Sequence, residues 1–220
     1  LLLAGEWSAP RLFKNHKGKL SEVKDTGLEN LKGLWTSTNA GDFDNDGDMD
    51  YVLGNIGLNA LFKGNEKEPA RVLAKDFDNN GNYDILPFVY YINEKKEKFL
   101  VPFNGKDDVN KQLNITRSRF VSYKDFAQAN IDNLLTKDER KDAQDLELSF
   151  MKSVIILNQG GGKFLVKDLP VEVQFSPANG MVVEDFDSDG IQDIVVSGNN
   201  FGNETSVGRY DASNGVYLKG

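Results

Sequence analysis

The chain has 220 residues, is 39% hydrophobic and 27% charged, and carries a formal charge of −8. That is ample material for a core and too apolar for a disordered chain, and the acidic balance argues against a nucleic-acid partner, which would want a basic face. Cysteine is absent, which removes disulfides and thiolate metal sites, and no apolar run approaches the ~20 residues that span a bilayer.

Short runs of Val, Ile, Leu, Phe and Tyr between Gly- and Asn-rich clusters predict a mainly β protein. The opening Leu1-Leu2-Leu3-Ala4 lacks a basic flank and runs into Gly5-Glu6-Trp7. It reads as a strand cut mid-fold rather than a signal peptide. Arg11-Leu12-Phe13-Lys14-Asn15 and Lys17-Gly18-Lys19-Leu20 read as a hairpin, with His16, the single histidine, in its turn.

Next comes Asp42-Phe43-Asp44-Asn45-Asp46-Gly47-Asp48-Met49-Asp50, followed by apolar Tyr51-Val52-Leu53. The pattern recurs as Asp76-Phe77-Asp78-Asn79-Asn80-Gly81-Asn82-Tyr83-Asp84, and again as Asp185-Phe186-Asp187-Ser188-Asp189-Gly190-Ile191-Gln192-Asp193. Oxygen-bearing side chains fall at positions 1, 3, 5 and 9, glycine falls at 6, and position 7 varies (Asp48, Asn82, Ile191), as suits a backbone carbonyl ligand. Hard cations such as Ca²⁺ take six to eight oxygens, and alternating acidic residues on a tight loop supply them. Unpaired carboxylates this close would repel one another.

An EF-hand needs a bidentate Glu at position 12 and flanking helices. Here position 12 holds Leu53, Pro87 or Val196, and strand-like segments follow. Up to three Ca²⁺ ions are therefore expected. Together they would bring the charge from −8 to about −2. The second loop, with Asn80 in place of an acid, is expected to bind most weakly.

Between the second and third loops, Tyr123, Phe126, Ala127, Ile131 and Leu134 recur at helical spacing. Thr136-Lys137-Asp138-Glu139 reads as a capping box opening a further helix. A helical insertion over about 106–150 is expected, read as a packing appendage. Beyond it, Ile155-Ile156-Leu157-Asn158 and Gly161-Gly162-Lys163-Phe164 repeat the first hairpin, and Ile194-Val195-Val196-Ser197-Gly198-Asn199 repeats the strand that ends in glycine. Such a repeat points to propeller blades.

The loops and their following strands resemble the FG-GAP/VCBS repeats of the integrin α-subunit propeller. Gly5-Glu6-Trp7, Gly54-Asn55-Ile56-Gly57-Leu58-Asn59 and Gly208-Arg209-Tyr210-Asp211-Ala212 extend the likeness to bacterial proteins related to cartilage acidic protein and associated with ASPIC/UnbV domains. The resemblance implies a calcium-stabilised β-propeller, with Asp42, Asp44, Asp46 and Asp50 and their counterparts as ligands. The expected architecture is all-β, a partial propeller of about four blades. A partial blade covers 1–34, and blades cover 35–69, 70–174 (with the insertion) and 175–220. A fragment of this kind would leave sheet edges free for self-association.

Catalytic signatures are few. There is no Gly-x-Ser-x-Gly elbow or His-Glu-x-x-His motif, and Gly160-Gly161-Gly162-Lys163 runs into Phe164 where a phosphate loop needs Ser or Thr. Asn114-Ile115-Thr116 and Asn203-Glu204-Thr205 match the glycosylation pattern. At the blade ends away from the loops, Trp7, Asn55, Asn59, Asn199, Asn200, Asn203, Glu204, Arg209 and Tyr210 form an amide and aromatic set suited to a glycan or peptide. The same residues are also good turn formers. The functional expectation is a non-enzymatic recognition or adhesion module of an exported protein, binding a protein or carbohydrate partner. The alternative is an accessory or catalytic propeller of a polysaccharide-degrading enzyme.

Overall fold

The computed structural model describes residues 1–203 and 207–220. They are mostly β, arranged as several small antiparallel sheets with no closed barrel. They divide into two units, residues 1–61 with 149–220, and residues 62–148.

The first unit opens with β1 (Leu2–Leu3), β2 (Glu6–Ser8), β3 (Arg11–His16), β4 (Lys19–Val23), β5 (Gly33–Leu34), β6 (Ser37–Gly41) and β7 (Asp50–Gly54). The chain then builds the second unit from β8 (Ala70–Lys75), β9 (Asp84–Ile92) and β10 (Lys98–Pro102), the short helices α1 (Lys106–Gln112), α2 (Thr116–Arg119), α3 (Tyr123–Phe126) and α4 (Ile131–Leu134), and β11 (Gln144–Leu148). It re-enters the first unit with β12 (Val154–Asn158), β13 (Phe164–Asp168), β14 (Gly180–Glu184), β15 (Asp193–Ser197) and β16 (Val216–Leu218).

Hydrogen bonding gives the first unit a four-stranded sheet, β13-β12-β7-β6, and three-stranded sheets β1-β3-β4 and β14-β15-β16, with β2 pairing β5. Strand alternation explains their packing, because successive side chains face opposite ways. Leu53, Val154 and Ile156 point to one side and join Leu2, Leu12, Leu28 and Trp35. Val52 and Ile155 point to the other and join Ile194, Val196, Met181 and Val183. The four-stranded sheet is thus apolar on both faces and lies between the other two.

Both hairpins read from the sequence are present. β3 pairs β4 with His16 opposite Lys19, and β12 pairs β13 with Asn158 opposite Phe164. Lys17 and Gly18, at φ 52° and 89°, make the first turn, and two left-handed residues are what a two-residue hairpin requires.

The pairing joins strands that lie far apart in the sequence. Strands β6 and β7 and strands β12 and β13 share one sheet, and residues 62–148 are inserted between its second and third strands. The second acidic loop therefore belongs to the inserted unit. The sequence could not show this, because β7 and β12 are joined across about a hundred residues by backbone bonds that leave no pattern in side-chain type.

The inserted unit has a sheet ordered β10-β9-β8-β11. Its helices serve packing, with Val109, Leu113, Phe120, Ile131 and Leu134 joining Leu73, Leu86, Phe88 and Leu100 in one core. The helical spacing resolves into two single turns instead of one helix. Ser122 with Asp125, and Asn130 with Asn133, each form a capping box that starts a new turn. Thr136 and Glu139 form the expected box too, but it opens only turns, ended by left-handed Asp142 (φ 61°).

Arg119 holds that corner. It donates from Nη1 to Leu134 O (2.6 Å) and, through both terminal nitrogens, to the Glu139 carboxylate. This bidentate contact pulls the Glu139 carboxyl down to about 2. A depressed carboxylate contributes stability above its ordinary value and loses it as pH falls toward the folded one. Glu139→Gln is expected to cost about 1–2 kcal/mol at neutral pH, discounted for partial exposure. The gap from the parent protein should narrow below about pH 4, as read by urea unfolding across that range.

Candidate metal centres

Each acidic loop joins two hydrogen-bonded antiparallel strands: 42–50 between β6 and β7, 76–84 between β8 and β9, and 185–193 between β14 and β15. The backbone is the same in all three. Position 4 is left-handed (Asn45, Asn79 and Ser188, φ 57–62°), and so is the position 6 glycine (Gly47, Gly81 and Gly190, φ 87–91°). Asn and Gly tolerate that conformation and other residues resist it. Asn45 and Asn79 meet the requirement at position 4 in the first two loops, and Ser188 adopts the same conformation in the third.

Local hydrogen bonds then shape each loop. The position 1 carboxylate accepts from the N–H groups of positions 5 and 6: Asp42 from Asp46 and Gly47, Asp76 from Asn80 and Gly81, Asp185 from Asp189 and Gly190. Position 9 accepts from the N–H of position 2, at 3.0–3.1 Å in each loop. The result is convergence of positions 1, 3 and 9. Asp42, Asp44 and Asp50 each offer an oxygen within 4.8 Å of the others, as do Asp76, Asp78 and Asp84, and Asp185, Asp187 and Asp193.

These three clusters can hold metal ions. Positions 5 and 7, read as ligands too, lie outside those converging carboxylates. Asp46, Asn80 and Asp189 each spend one side-chain oxygen on the N–H of position 7, which is Asp48, Asn82 or Ile191.

Electrostatics separates the loops. Partial desolvation, with the charges of Asp46, Asp50 and Asp42, raises the Asp44 carboxyl above its ordinary value. Burial raises Asp84 likewise, helped by Asp78 and Asp76. A buried oxygen of Asp78 has no hydrogen-bond partner among the described residues. Buried polar atoms rarely stay unpaired, and a cation shared by the three carboxylates would satisfy this one. The donor set, oxygen only, fits a hard divalent ion.

In the third loop the shifts run the other way. Lys219, bonded to Asp187 and Asp189, lowers Asp189. The Gly220 N–H and the Tyr217 hydroxyl lower Asp193, and the Tyr217 phenol is pushed up to about 12 by the same contact. These strand-end partners are far from the loop in sequence, and nothing in the loop pattern pointed to them.

The turns at the other strand ends are less open than expected. Asn55 is fully buried. Its Oδ1 accepts from the Leu34 and Ile56 N–H groups, and its Nδ2 donates to Phe150 O and Lys152 O. Asn55 cannot reach a ligand, because its whole amide is spent joining β5, β7 and the approach to β12. Asn199 is also internally bonded, donating to Ser213 O and accepting from the Ser213 N–H and the Ser176 hydroxyl.

Asn59 is exposed and donates to Phe175 O (3.2 Å). The Tyr210 hydroxyl accepts from the Leu61 N–H, and the Tyr210 backbone bridges Asn200. Asn203 donates weakly to Asn200 O. Exposed Arg209 lies over the Phe201 ring. Trp7 is half-buried in β2 at φ 55°, where the pairing with β5 shifts register. Glu204, and with it the Asn203-Glu204-Thr205 pattern, lies outside the described residues. Structure thus brings Asn59, Asn199, Asn203 and Tyr210 to one end of the unit but commits most of their polar atoms to the fold.

Among the described residues no helix is long and apolar enough to cross a membrane. Comparison with protein-family models and with curated proteins returned no match.

Proposed function

We propose that the chain is a calcium-binding β-propeller module of the FG-GAP/VCBS type, part of an exported protein, whose metals are structural and whose exposed turns recognise a protein or carbohydrate partner. The observation that carries this reading is the threefold repetition of one triad, each copy clamping two adjacent strands at a loop of the same backbone shape. Stacked antiparallel sheets of three and four strands in the first unit support blades. Oxygen ligands on a flexible loop favour Ca²⁺ over Mg²⁺, which demands near-octahedral geometry and sheds water reluctantly. Millimolar extracellular or periplasmic calcium would fill even weak sites of this kind, hence export. Among the described residues of the expected recognition face, Asn59 and Arg209 are exposed to a partner.

The test is a calorimetric titration of the metal-free chain with calcium and, separately, magnesium. The reading predicts two or three calcium sites and markedly weaker magnesium binding. No calcium binding at millimolar concentration would contradict it. Arrays of glycans and proteins probed with the calcium-loaded chain would then identify the partner.

A further inference from the structure

Strand register makes the first and third loops directly comparable. Ile156 lies opposite Tyr51, one residue past Asp50, and Leu218 lies opposite Ile194, one residue past Asp193. Asn158 and Gly220 therefore occupy the same place. Both donate their backbone N–H to Oδ1 of the position 9 aspartate, at 2.6 and 2.8 Å. One residue earlier the two strands differ. Leu157 is 5% exposed in the apolar interior. Lys219, at the equivalent position, extends its ammonium over the third loop, bonded to Asp187 and 2.9 Å from Asp189 Oδ2.

We propose that Lys219 is a tethered cation that competes with metal for the third loop, so that this loop fills at higher metal concentration than the first. The inference rests on the reading of the loops as calcium sites. Both loops carry acidic side chains at positions 1, 3, 5 and 9, and the first adds Asp48 at position 7; Asp48 lies outside the converging triad, so the triads themselves carry equal charge. The difference lies in what already occupies them. Asp187 belongs to the converging triad, and the oxygen that holds the lysine must be released before it can ligate. An ammonium and a divalent ion cannot share that carboxylate without strong repulsion, so the ion enters only as the lysine swings away. The Lys219 side chain is 55% exposed and has solvent to swing into, which makes the competition graded rather than blocking. The third loop becomes a lower-affinity site, sensitive to calcium over a range in which the first is already full.

The test is a calcium titration of the full chain by calorimetry, comparing the parent protein with Lys219→Leu, which installs the first sheet's residue, and Lys219→Gln, which keeps length without charge. Both variants are expected to tighten one site by about two- to fivefold, the scale of an exposed ion pair removed, with the other sites unchanged. Adding Asp187→Ala to Lys219→Leu should erase the gain. Unchanged isotherms in both variants would overturn the proposal, as would equal tightening at every site, which would mark a net-charge effect. A parent chain that binds no calcium would instead overturn the underlying calcium reading.

Discussion

Asn55→Ala is expected to destabilise the first unit by about 3 kcal/mol, among the larger effects a single buried polar residue can produce. The side chain is fully buried. Its removal strands the N–H groups of Leu34 and Ile56 and the carbonyls of Phe150 and Lys152 away from water. A second layer of bonds depends on the same residue, because its N–H donates to Ser153 Oγ and its carbonyl accepts from the Ala178 N–H. Asn55→Asp should be worse still, since a carboxylate oxygen would replace the donor facing two carbonyl oxygens. Urea unfolding of the variants decides the matter. A ligand-contacting role would leave stability unchanged, whereas a structural hub would shift the midpoint strongly.

Asp50→Ala carries the second large effect, and it has two separable parts. Asp50 is fully buried and accepts from the Phe43 and Asn158 N–H groups, so it ties the first loop to its own strand and to β12. In chelator, only those bonds are lost, at about 2–3 kcal/mol for two buried donors left unpaired. In calcium, the first site is lost as well. At 100 times its Kd, one site stabilises by about 2.7 kcal/mol through linkage, so the gap between parent and variant should widen by about that much. Thermal unfolding of both proteins in the two conditions reads each part. An equal gap with and without calcium would mean that the first loop contributes hydrogen bonds but no metal.

What the sequence revealed follows from the range of the interactions involved. The acidic loops were legible because their geometry is local: the glycine, the position 1 carboxylate and the two N–H groups it accepts from lie within six residues. The hairpins at residues 11–23 and 154–168 were legible for the same reason. The insertion was seen as helical, but its role as half of a core was hidden, since Leu86 and Phe88 meet Leu134 only after the chain has folded back. The Gly54-Asn55-Ile56-Gly57 segment reads from sequence as a polar turn. Burial converts it into a joint, with Gly57 at φ 83° and too close to the Gln174 carbonyl for a side chain. Lys219 was invisible as a loop partner because it lies 29 residues beyond Gly190, the glycine of that loop, and is placed there by strand pairing alone.

The central claim is that metal, not hydrogen bonding alone, satisfies the clustered aspartates. The measurement that tests it most directly is thermal unfolding of the chain in calcium, in magnesium and in excess chelator, with bound calcium counted by calorimetry. The account predicts a large rise in melting temperature specific to calcium, accompanied by two or three bound ions. An unchanged melting temperature with no ion bound would contradict it.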